Sequence, residues 1–147
     1  RYLSGGGFML LEGLNRDQVR RGLRDIYGVW RKALEKYGGL VEGRDFYTAR
    51  LPDDHPLFSA YFDLDGGAPR GASSFGMFTT LDEFNVVQGL FVKGRLAAVP
   101  RPWGYGGILG HSNGVETTRV LQFAVNTIVY ALTQEGSITQ RLMQMVH

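Results

Sequence analysis

The sequence predicts an α/β sandwich, and three observations carry that reading. Phe8-Met9-Leu10-Leu11 is a continuous apolar run, the pattern of a strand buried on both faces of a parallel sheet. Two long segments repeat apolar residues at three-to-four spacing, as amphipathic helices do. Between them, two short runs flank Lys93-Gly94 in the manner of a β-hairpin. A strand, a helix, further strands with loops at their ends and a closing helix compose such a sandwich, whose ligands sit beyond the carboxyl ends of parallel strands.

The elements follow in order. Arg1-Tyr2-Leu3-Ser4 before Gly5-Gly6-Gly7 reads as the tail of a helix with a glycine C-cap, so further strands are expected upstream of the Phe8–Leu11 strand. Asn15 and Gln18 form a capping-box-like start, and Val19, Leu23, Ile26, Trp30 and Leu34 then mark a helix that stops at Gly38-Gly39. Arg16, Arg20, Arg24 and Arg31 lie on its other face, read either as an anion-binding stripe or as a solvated face balanced by Asp17, Asp25 and Glu35. Phe46 to Leu51 alternates as a strand ending at Pro52, and a polar turn with a short helical piece follows through Phe58. Small residues from Asp63 to Ser74 predict a surface loop. Val86–Val92 and Arg95–Val99 form the expected hairpin, and the glycines between Pro100 and Asn113 predict irregular chain. Asn113 and Glu116 make a second capping box for a helix ending near Gly136, with a wide apolar stripe of Leu121, Ala124, Val125, Ile128, Val129 and Leu132. A last short helix from Ser137 carries Ile138, Leu142, Met145 and Val146 on one face.

Composition narrows the function classes. The chain has 147 residues, one domain's worth, and a chain of that length buries roughly 68–70% of its unfolded surface. It is 44% hydrophobic and 20% charged, with no apolar run near the roughly 20 residues of a membrane span. There is no cysteine, which excludes disulfides, thiolate zinc sites and a cysteine nucleophile. Net charge is +2 with acids interspersed among thirteen arginines, so no nucleic-acid surface is implied. Neither a GxxxxGK phosphate loop nor a GxSxG elbow is present, and covalent catalysis has little support.

Five residues are candidate ligand contacts. Glu12 directly follows the apolar strand, where a carboxylate can bind a ligand or act as a base. Asp53-Asp54-His55-Pro56 is the densest titratable group, and Asp54 with His55 suits proton relay or ligand binding; capping by Asp53 or Asp54 with Pro56 in the first turn explains the same residues without chemistry. Trp103 and Tyr105 in the glycine-rich segment offer a stacking platform for a sugar or aromatic partner, or tuck that segment onto the core. His111, Asn113 and Glu116 with His55 and Glu12 give at most a two-histidine, carboxylate set whose spacing is not that of a metal site, so neither a metal nor another cofactor is expected. Ile138, Leu142, Met145 and Val146 are candidate partner contacts, because an apolar helical face needs a cover.

Four segments in order resemble a bacterial family, domain of unknown function (DUF) 4159. They are Arg1-Tyr2-Leu3-Ser4-Gly5-Gly6-Gly7-Phe8 before a strand ending in an acid; Leu51-Pro52-Asp53-Asp54-His55-Pro56-Leu57-Phe58 with Tyr61-Phe62-Asp63-Leu64; Lys93-Gly94-Arg95-Leu96-Ala97; and Asn126 to Thr133. The resemblance spans Arg1 to about Thr133 and implies a class I glutamine amidotransferase-like, flavodoxin-like three-layer sandwich with a mainly parallel sheet, its first strands absent from this chain. It implies no reaction, because the usual amidotransferase nucleophile is not part of the family pattern. Glu12-Gly13 stands where the family carries paired acids, and residues 137–147 extend past the usual domain end. The expectation is therefore an amidotransferase-like domain over residues 1–136 and an amphipathic tail over 137–147. Its expected role is that of a non-catalytic binding or structural subunit of an exported bacterial assembly with a protein partner, periplasmic or associated with a membrane-anchored complex. The alternative is a carbohydrate-binding or hydrolytic domain resembling trehalose-utilisation proteins, in which Glu12, His55, Trp103 and Tyr105 converge on one pocket.

Overall fold

The computed structural model of the chain describes residues 1–12, 27–69, 87–101 and 115–146. These form an α/β fold around a four-stranded mixed sheet of order β1-β4-β3-β2, with β1 (Met9–Glu12), β2 (Phe46–Arg50), β3 (Gln88–Val92) and β4 (Arg95–Arg101). Helix α1 covers 27–37 and widens into a π-turn over Ala33–Tyr37; α2 is Val115–Thr133 and α3 is Ile138–Val146. A single 3-10 turn, Pro56–Phe58, follows β2. The capping pairs Asn15/Gln18 and Asn113/Glu116 lie outside the described side chains.

The expected hairpin is present. Lys93 and Gly94 take positive φ of 52° and 75°, the pattern of a two-residue turn whose twist matches its strands. That turn forces β3 and β4 antiparallel, and β2 pairs antiparallel with β3, whereas β1 alone runs parallel to β4 in the register Met9–Ala98 to Glu12–Arg101. Two of the three pairings are therefore antiparallel, which corrects the mainly parallel sheet. A short turn can return the chain only to an antiparallel neighbour, and one such turn sits in the middle of this sheet. The shift of register between Leu90 and Phe91 leaves Ala97 as an extra residue, so Ala97 and Ala98 both pack on the same cluster.

The core divides into two clusters. Leu96 and Val99 of β4 meet Val120 and Phe123 of α2 together with Leu51, Leu57, Phe58 and Leu64. Phe46, Leu90, Val92 and Ala98 meet Trp30 and Leu34 of α1, as expected for those two positions; Val19, Leu23 and Ile26 of the same expected stripe, and Arg16, Arg20 and Arg24 of the opposite face, lie outside the described residues. Met9 and Leu11 pack at the border of this second cluster, but Leu10 on the other face of β1 is 38% exposed. Burial on both faces of that strand is thus corrected: α2 shares its core with Leu96 and Val99 of β4, and Leu10 lines an open groove beside Ile128 and Leu132 of α2.

Helix α2 also holds a loop by a polar contact. Fully buried Asn126 accepts from the Tyr61 and Phe62 amides through Oδ1, at 3.1 and 2.7 Å, and donates to the Phe62 carbonyl through Nδ2 at 2.8 Å. Three satisfied bonds make a buried amide tolerable there. At the chain's start, Gly6 (φ +104°) lies against the α2–α3 turn, where a Cβ on it would stand 2.6 Å from the Gly136 carbonyl oxygen. Its own carbonyl accepts from the Ile138 amide at 3.2 Å. Helix α3 begins as expected at Ser137, whose hydroxyl oxygen accepts from the Gln140 amide.

Candidate functional site

Two surfaces stand out, and they share no lining residue. The first is a cleft of about 570 Å³ at the hairpin end of β4, bounded by the Lys93-Gly94 turn, Arg95, His55, Tyr130 of α2 and the start of α3. His55 reaches it because the chain after β2 turns tightly. Its Nδ1 accepts from the Leu57 amide at 3.1 Å, making His55 itself the cap of the 3-10 turn, with Pro56 in the first position. Capping by Asp53 or Asp54 is thereby corrected: the imidazole acceptor lies two residues before the donor, while Asp54 is exposed. With Nδ1 engaged as acceptor, the neutral ring carries its proton on Nε2.

The His55 ring packs on Tyr130 with centroids 5.5 Å apart. Burial lowers the His55 pKa, while the nearby charge of Asp54 acts in the opposite direction. Burial likewise raises that of Tyr130, against a smaller opposing influence of Arg95. Arg95 fixes the floor: its Nη2 donates to the Leu3 and Gly7 carbonyls at 2.6 and 2.7 Å, and its Nη1 donates to the Leu96 carbonyl at 3.3 Å.

The second surface is apolar. Of the stripe expected on α2, Leu121, Val125, Ile128 and Leu132 face outward, with Ile128 61% exposed. Val120, Phe123, Asn126 and Thr127 turn inward instead. A groove of about 380 Å³ runs along this outer face, lined by Leu10 of β1, Ile128 and Leu132 of α2, and Ile138 of α3. On α3, Leu142 and Met143 are exposed, and Met145 and Val146 are 83% and 82% exposed. The candidate partner residues Ile138, Leu142, Met145 and Val146 are therefore uncovered by the described part of the chain.

The candidate ligand residues are not gathered in one place. Asp54 and His55 lie beside the cleft, but β1 ends with Glu12 paired to Arg101, six residues along β4 from Arg95 and so about 20 Å away at the rise of a strand. Trp103, Tyr105, His111 and Asn113 lie outside the described residues. Tyr130, Arg95 and the outward α2 residues were not singled out as site residues by the sequence. For α2 the signal was present: Asn126 and Thr127 interrupt one side of the helix, Asn126 bonding the 61–62 backbone and Thr127 donating to the Phe123 carbonyl one turn back, and both lie on the inner face.

Comparison with family models, with curated proteins and with solved structures finds no match. The geometry alone therefore supports the functional reading. No helix among the described residues is long and apolar enough to cross a membrane.

Proposed function

We propose that this chain is a non-catalytic binding module that docks a protein partner through the apolar face of α2, α3 and the β1 edge. One observation carries the reading: Leu121, Val125, Ile128 and Leu132 recur at helical spacing on the open side of α2 and continue into the exposed apolar residues of α3. Contiguous exposed apolar surface on a folded domain marks an interaction site, because leaving it in water forgoes roughly 25 cal/mol for each Å² that a partner could cover. An amphipathic helix beside an apolar groove is a common recognition element for another protein. The resemblance to DUF 4159 extends the proposal to an amidotransferase-like subunit of an exported assembly.

Photo-crosslinking in living cells tests this, with the crosslinking residue placed at position 128 or 145 and, as control, at exposed position 36. A discrete protein adduct from positions 128 and 145, absent at 36 and lost in Leu132→Asp, is the expected result. Failure of both face positions to yield an adduct would refute the docking role. Deleting residues 137–147 is expected to shift the native assembly to smaller size on gel filtration, and unchanged association would remove α3 from the interface.

A further inference from the structure

We infer that the cleft between the Lys93-Gly94 turn and the α2–α3 junction binds a small ligand through an oxyanion, a carboxylate or a phosphate. The cleft lies apart from the apolar docking face and the inference does not depend on it.

The argument begins with charge. Lys93, Arg95 and Arg141 all line this one cleft of about 570 Å³, and Glu135 is its sole acidic lining residue among those described. None of the three cations forms an ion pair with a described carboxylate; the described ion pairs are Arg31–Glu42 and Arg44–Asp45. Outside the wall, Asp45 lies close enough to Lys93 to feel its charge while its carboxylate is bonded to Arg44, and Asp54 is exposed beside His55. Arg95 and Arg141 act on each other as like charges with no acid between them, and a bound anion relieves that repulsion.

Arg95 gives the site its rigidity. Its guanidinium is clamped by three backbone carbonyls, which orient the group but leave its charge unneutralised. Burial chiefly, and the like charge of Arg141 second, lower its pKa, as expected for a half-buried cation lacking a counter-ion. Neutral donors complete the wall. The Tyr130 hydroxyl and the protonated Nε2 of His55 belong to two rings already packed together, so offering them to an oxyanion costs little ordering. A cleft of this size holds a metabolite rather than a polymer.

The test is titration of the intact chain with inorganic phosphate and, separately, with succinate, each against chloride at matched ionic strength, followed by amide nuclear magnetic resonance. Saturable shifts centred on Gly94, Glu135 and Gly136 are expected with at least one probe, and the tighter probe tells phosphate from carboxylate. Lys93→Asn with Arg141→Gln removes two exposed cations and keeps a turn-compatible residue at 93, and is expected to weaken binding about tenfold or more. Arg95 is left intact because it holds the Leu3 and Gly7 carbonyls. Glu135→Gln is expected to tighten binding. Shifts that never saturate, or that saturate equally in the double variant, would overturn the inference, because they would report a diffuse charge effect rather than a site.

Discussion

The two sides of α2 are built from comparable residues and meet different surroundings. Inward, Val120 and Phe123 are sealed against Leu96, Val99, Leu57 and Phe58, and Asn126 spends its amide on the Tyr61–Phe62 backbone. Outward, Leu121, Val125, Ile128 and Leu132 have the same apolar character and remain open to solvent. The difference teaches that apolar content does not by itself select the core side of a helix. Here the side that places Asn126 over the Tyr61–Phe62 amides is buried, because a buried amide must find its partners whereas an exposed leucine needs none. The outer stripe is then left over for an external contact.

The contrast can be broken most severely from within. Phe123→Ala is expected to lower the unfolding free energy by about 3–5 kcal/mol, read from denaturant unfolding, since it empties the centre of the larger cluster. Asn126→Ala leaves two amides and a carbonyl of the 61–62 segment without their partner and is expected to cost about 1–3 kcal/mol by the same measurement. A smaller effect falls on the flank where His55 packs against Tyr130. The folded protein takes up the His55 proton only below the ordinary pKa of 6.5, so the unfolded chain binds it first. Stability is accordingly unaffected above that value and falls as the pH drops through it. His55→Asn, which keeps an acceptor for the Leu57 amide, is expected to reduce the loss in denaturation midpoint between about pH 7.5 and about pH 5. Smallest of all, Ile128→Gln on the outer face is expected to change stability by no more than about 0.5 kcal/mol, and a larger loss would show that this face is already covered.

Much of the local structure was legible. The Lys93-Gly94 hairpin could be read because only a few residue pairs suit a turn with two positive φ angles, and the α1 core residues Trp30 and Leu34 because a helix repeats. The balance of directions in the sheet was not legible: the hairpin implies one antiparallel pair and the Phe8–Leu11 run a parallel one, but nothing in Phe46–Arg50 tells that β2 joins β3 antiparallel. Of the candidate site, His55 was visible as a titratable group, and so was the open face of α3. Arg95 and Tyr130 were not, because one is an arginine among thirteen and the other an aromatic within a helix; only the fold brings position 55 against position 130.

The close approach of Gly6 to the Gly136–Ile138 backbone also bears on inheritance. Most neighbouring positions in a protein can exchange volume through their side chains, one growing as the other shrinks. Here main-chain atoms face each other with nothing left to shrink, as the 2.6 Å separation of a hypothetical Cβ from the Gly136 oxygen shows. Descendant sequences can therefore replace Gly6 only by lengthening or rerouting the turn that launches α3, so the lead-in to β1 and the placement of the last helix are expected to diverge together.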